Sequence, residues 1–238
     1  RPTYPLFILL GLLPACGDSA GNDDATAGET TGDTSTGDTP TTGAGDLNER
    51  ELGASATPAC VAAKTHVAAL FTAATAGDVA AASAAYTGTA LQTYVQQLDT
   101  LGERSDDADI GAWLTAGDAS SLAAAAARVQ VAYAVHLRAN LNAVDTGAAD
   151  KYAAWDEAHC LWDAALRPLA DEADAVTWHS VAETVAADID AALADGHDGI
   201  SGEPPNTTVD DWRTPPSKQR AEKSLFRAAQ RVIVELAG

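Results

Sequence analysis

Alanine dominates the apolar content of this chain, while aromatic residues make up only 5% of it. Alanine loses the least conformational entropy in a helix and presents little side chain to a pleated sheet. Apolar residues recur at helical spacing, and no stretch alternates Val, Ile or Thr with polar residues as a half-buried strand would. The expectation is an all-α fold: a helical bundle of about six helices after a disordered N-terminal tether. The 238 residues suffice for one ordinary domain.

Stop and start signals predict where the helices fall. The first covers residues 59–76, opened by Thr57-Pro58 and closed by Gly77-Asp78. The second covers 78–101, with a possible kink at Thr87-Gly88-Thr89. An acidic loop at 103–109 and a short apolar piece at 110–114 follow. The third helix covers 119–144, the fourth 148–166 and the fifth 171–195, stopping at Gly196. A Gly/Pro-rich loop at 199–216 leads to a last helix starting at Ser217. That helix holds Lys218, Arg220, Lys223, Arg227 and Arg231, five of the twelve bases of residues 59–238, and should lie against acidic neighbours.

Residues 1–15 read as an export signal. Arg1 precedes an apolar run from Leu6 to Leu13, far short of the roughly 20 residues that a membrane-crossing helix needs. The run ends in Leu13-Pro14-Ala15-Cys16-Gly17, which looks like a bacterial lipobox with Cys16 as the lipidated residue; an ordinary cleaved signal with an incidental Cys is the alternative. Two or more acyl chains on Cys16 would anchor the protein to a membrane. Residues 16–58 form the tether, rich in Gly, Thr and Asp. Residues 17–58 carry nine acids and one base, too little apolar surface to offset the cost of ordering. As a coil, those residues would reach about 35 Å.

The charge excludes one class of partner. Fourteen Lys and Arg stand against 34 Asp and Glu, a net charge of −20. Nucleic-acid binding needs a basic surface to neutralise phosphate, so no nucleic acid is expected. With Cys16 acylated, Cys60 and Cys160 remain as a pair in an oxidising compartment, either as a disulfide or as two buried thiols.

The polar residues that could carry chemistry cluster on three helices. Tyr152, Asp156 and His159 fall at i, i+4 and i+7, which places phenol, carboxylate and imidazole on one helix face. Tyr133 and His136 are spaced i, i+3, and His179 and Glu183 i, i+4. Together they could offer hard oxygen and imidazole donors to one metal ion, with iron as the cofactor. Arg128 and Arg138 could hold a bridging planar anion. The bland alternative is that each His or Tyr fills the core, its polar tip on a backbone partner. No Walker A, GxGxxG or GxSxG pattern is present.

The stretches Arg128-Val-Gln-Val-Ala-Tyr-Ala-Val-His-Leu-Arg138 and Ala154-Trp-Asp-Glu-Ala-His-Cys-Leu-Trp-Asp-Ala-Ala-Leu-Arg-Pro-Leu169 resemble the algal iron-assimilation proteins and their bacterial relatives, the low-iron-inducible periplasmic proteins. The matching positions are Gln130, Tyr133, Glu157, Trp162 and Pro168-Leu169. His159 and Cys160 depart from the pattern. The resemblance implies a secreted helical protein linked to iron uptake.

Two functions are expected in order. The first is a lipid-anchored envelope protein, periplasmic or cell-surface, that binds iron, most simply ferric, for its acquisition. The second is an envelope lipoprotein that binds another envelope protein and no metal. An enzyme has the least support.

Overall fold

The computed structural model describes residues 50–175 and 184–237, without the side chains of Glu172 and of residues 229–237. The expected export signal, Cys16, the expected tether up to residue 49, His179 and Glu183 lie outside the described residues.

The fold is all-α. The described residues form nine α-helices: α1 Pro58–Ala76, α2 Val79–Tyr86, α3 Ala90–Gly102, α4 Asp106–Ala116, α5 Leu122–Thr146, α6 Lys151–Leu161, α7 Arg167–Ala175, α8 Val185–Asp198 and α9 Thr214–Ala237. A two-residue antiparallel pair, β1 Ile200–Ser201 with β2 Thr208–Val209, interrupts the loop before α9. It is too short for any periodicity to announce it.

Local chemistry explains the boundaries that differ from expectation. The second predicted helix is two, because Gly88 takes a left-handed φ of 73° and the Thr89 side chain caps α3 by accepting from Leu91 N–H. The predicted acidic loop and apolar piece are one helix, α4. Asp106, Asp107 and Asp109 sit in its first turn, where negative charge favours a helix. Asp99 of α3 accepts from the Asp106 and Asp107 N–H groups at 2.9 and 2.8 Å, supplying the cap from outside. The predicted fourth helix does not stop at Leu166. It passes through a π-turn, Trp162–Leu166, into α7, with Arg167 N–H donating to Trp162 C=O. The wider turn absorbs Pro168, which has no N–H to give.

Gly196 is not a helix stop either. It lies inside α8 because Trp155 of α6 presses against it: a Cβ there would come within 2.1 Å of the Trp155 ring. Trp155 also donates from Nε1 to Leu193 C=O at 2.8 Å. α9 begins at Thr214, three residues before Ser217, since proline is tolerated in a first helical turn.

The core runs between α1, α5, α6 and α8, with Trp155, Trp162, Tyr86, Tyr133 and Tyr152 its largest fully buried side chains. α8 packs chiefly on α9 and α5 on α6. The basic helix α9 meets acids as expected: Lys218 pairs with Asp145, Arg220 with Asp195 at 2.9 Å, and Arg227 with Asp188 at 2.7 Å. Cys60 of α1 and Cys160 of α6 form a disulfide, with Cα atoms 6.2 Å apart. It closes a loop 100 residues long.

Residues 50–57 belong to the segment expected to be tether. They do not hang free but run along α6 as a strap. The anchoring side chains lie about 100 residues away in sequence, so the Gly/Ala/Ser composition of the strap gave no sign of it.

Candidate functional site around helix α6

Helix α6 has two polar sides, and the expected ligands divide between them. On the first side, Asp156 is 0% exposed. Its two carboxylate oxygens accept from Gly53 N–H and Ser55 N–H, both at 2.8 Å, and Oδ1 lies 3.3 Å from His197 Nε2. Burial by itself would push this carboxyl up. The hydrogen bonds from His197, Gly53 and Ser55 outweigh it and hold the group below its ordinary value.

Tyr152, one turn earlier, donates its hydroxyl to Ile200 C=O at 2.7 Å. Its ring meets His197 edge-on with centroids 5.4 Å apart, and the Arg50 guanidinium sits 4.5 Å from its centroid. Burial raises this phenol, with Arg50 opposing, so the hydroxyl keeps its proton and acts as a donor. His159 is half-buried against the strap. Gly53 has φ +90° and leaves room for the imidazole: a Cβ there would lie 3.2 Å from His159 Nδ1. Burial lowers the pKa of His159, against the pull of Asp163 and Asp156. The face read as a ligand set is therefore the seat of the strap.

The same device recurs elsewhere. Asp99 grips two N–H groups at the start of α4. Asp174 grips those of Val185 and Ala186, at 2.6 and 2.9 Å, at the start of α8. Asp156 grips two of the strap. Three carboxylates thus satisfy pairs of backbone donors that would otherwise be stranded.

The second side joins α3, α5 and α6. Glu157 accepts from Tyr94 OH at 2.6 Å, from Thr57 N–H at 2.8 Å and from Thr57 Oγ1 at 3.1 Å. The Tyr94 ring packs on Tyr133 and His136, with centroids 5.1 and 5.2 Å away. His136 Nε2 donates to Tyr94 C=O at 3.0 Å, which places its ring proton on that nitrogen. Tyr133 is 0% exposed, and among the described residues its hydroxyl has no hydrogen-bond partner. Burial, then the nearby Tyr94 and Glu157, push the Tyr133 phenol far up; burial and the Glu157 hydrogen bond do the same to Tyr94.

The structure does not gather Tyr152, Asp156, His159, Tyr133 and His136 round one centre. Tyr152 and Asp156 are spent on Ile200 and the strap, and His136 is spent on Tyr94. Among the described residues, no group of three or more His, Cys, Asp and Glu is placed to hold a metal. The expected anion site also fails. Arg128 and Arg138 are ten residues apart on α5, about 15 Å along the axis, too far to share one small anion. Arg128 pairs with Asp106 and Asp109, at 3.0 and 2.6 Å, and stacks on Trp113. Arg138 lies 3.7 Å from Glu222.

Sequence reasoning missed His197 and Tyr94. His197 lies just beyond Gly196, where the fifth predicted helix stops, and its partner Asp156 lies on another helix. Tyr94 was detectable: it falls between the buried Leu91 and Val95 of α3, so only its direction was unknown.

Comparison of the chain with protein-family models, with curated proteins and with solved structures gives no match.

Proposed function

We propose that the chain is a lipid-anchored protein of the bacterial cell envelope whose helical domain docks another envelope protein. The observation that carries this choice is the fate of the α6 face. Tyr152, Asp156 and His159, the residues best spaced for a metal, instead bind the strap and the core. Large apolar side chains face solvent elsewhere: Trp212 and Leu101 are each 70% exposed. Exposed aromatic residues are favoured anchors in protein interfaces. The strong net negative charge suits a basic partner surface.

The test has two arms. Cys16→Ser should move the chain from the membrane to the soluble fraction; if it stays with membranes, the lipid anchor is wrong. In detergent-solubilised envelopes the wild-type chain should run in a complex larger than the same chain purified alone in that detergent, and Trp212→Ser should return it to that smaller size. A wild-type chain that runs alone overturns the docking reading.

Iron binding is the second reading. One specific observation favours it: the buried Tyr133 hydroxyl has no hydrogen-bond partner among the described residues, and its ring packs on Tyr94.

A further inference from the structure

We propose that residues 50–57 are a proton-operated latch: the strap lies closed on α6 near neutral pH and lifts as a unit when His159 takes up a proton, while the bundle behind it stays folded. The proposal stands apart from the docking and iron readings above.

The strap is built to move separately from the core. Not one residue from 50 to 57 is fully buried. Its fastenings to the bundle are polar: Gly53 and Ser55 N–H on Asp156, Thr57 on Glu157, and Arg50 on Glu203 at 2.6 Å. The N–H groups of Ala54 and Ala56 bond within the strap, to Glu51 and Gly53 C=O, so it holds its own shape. A short way on, Cys60 is 0% exposed and bonded to Cys160 of α6. The disulfide keeps the start of α1 on α6 whether the strap is on or off, so an opening that begins at Arg50 stops there. Proteins open locally in such contiguous units.

His159 lies under the latch. Its half-buried ring stands so close to Gly53 that a Cβ there would come within 3.2 Å of Nδ1. The strap covers the ring but gives it no charge, for Leu52 to Thr57 carry no ionisable side chain. A covered imidazole is held neutral by the loss of water, and an uncovered one regains its proton.

The charges around the ring set the sign. Asp163 of the π-turn, Asp156 of α6 and Asp190 of α8 favour the protonated ring, and Lys64 of α1, itself paired with Asp163, opposes it. Burial outweighs the acids in the closed form and holds His159 below its ordinary value. When the strap lifts, the cover goes and the acids stay. The open form therefore binds the proton more tightly, so closure is full above the ordinary value of 6.5 and weakens as pH falls below it. Opening uncovers the Asp156 and Glu157 carboxylates and gives the chain before Arg50 roughly 25 Å of extra reach. His197, 3.3 Å from Asp156 Oδ1, is the other imidazole at the seat and serves as the control.

The experiment follows amide hydrogen exchange in the full chain from pH 7.5 to pH 5.5, corrected for the intrinsic chemical rate. The opening constant read at Gly53, Ser55 and Thr57 should rise as pH falls through 6.5, approaching about tenfold per pH unit for one proton. Val67 and Leu70, buried in α1 beyond the disulfide, should keep their protection across the range. His159→Gln should flatten the profile of the strap, and His197→Gln should leave it in place. Strap amides equally protected at pH 7.5 and pH 5.5 in the wild type overturn the proposal without recourse to any variant. A profile that survives in His159→Gln and vanishes in His197→Gln moves the switch to the wrong imidazole and overturns it too. Loss of protection at Val67 and Leu70 in step with the strap shows global unfolding and overturns the separate latch.

Discussion

Asp156 and Glu157 are neighbours on α6 and both hold the strap, yet they point about 100° apart round the helix, into surroundings in different states of satisfaction. On the Asp156 side the carboxylate, the Tyr152 hydroxyl and the Gly53 and Ser55 N–H groups are all hydrogen-bonded. Carboxylate, imidazole, phenol and strap backbone close on one another. On the Glu157 side one buried phenol is left over. The first pattern is that of a structural clamp, whose members rigidify a fold when all are paired. The second holds a buried hydroxyl at an energetic cost. Substitutions on the two sides should therefore move stability in different directions.

The largest effect is expected at the clamp. Asp156→Ala strands two backbone donors and removes the carboxylate beside His197, and should lower stability by about 3–5 kcal/mol, read by urea unfolding. A loss below about 1 kcal/mol would mean that the strap adds little and the contrast between the sides is false. The clamp also sets an acid limit. The Asp156 carboxyl is depressed in the folded state, so its stabilisation is present above the ordinary value of 3.8 and lost as pH falls through the folded value. Thermal unfolding between pH 5 and pH 2 should show a steeper acid loss in the wild type than in Asp156→Asn.

Next in size is the Cys60–Cys160 bond, which joins α1, just after the strap, to α6. Reduction should lower stability by about 2–4 kcal/mol, measured as a shift of the unfolding midpoint with and without reductant. Freshly purified, denatured chain should show no thiol from this pair. If reduction loosens the clamp as well, protease cleavage in residues 50–57 should rise with it.

Tyr152→Phe removes one hydrogen bond from the satisfied side and leaves Ile200 C=O without its donor. It should cost about 1–1.5 kcal/mol. Tyr133→Phe is the smallest and the sharpest. It removes a hydroxyl that makes no hydrogen bond, so stability should hold or rise by up to about 1 kcal/mol. If Tyr133→Phe destabilises as much as Tyr152→Phe, the two sides are alike and the contrast collapses.

Much of the fold was legible because helices are written locally. Thr57-Pro58 and Gly77 bound α1, and Gly147 ends α5, through capping rules that need no distant partner. Where a distant group did the capping, the reading failed. The start of α4 depends on Asp99, so its acids looked like a loop. Gly196 looked like a stop because nothing nearby announces that Trp155 presses on it. The same limit governs the site. The spacing of Tyr152, Asp156 and His159 correctly puts them on one face, but periodicity does not say what lies opposite.

The sequence by itself determined the all-helical class, through alanine and apolar spacing, and marked Cys60 and Cys160 as a pair, through their number once Cys16 is set aside. Tertiary structure decided which partner each buried polar group meets. It spent Asp156 on the strap and, among the described residues, left the Tyr133 hydroxyl without a hydrogen-bond partner. The physical reason is range: helix propensity and caps act over a turn or two, whereas a buried polar group is satisfied by whatever the chain brings across from another element.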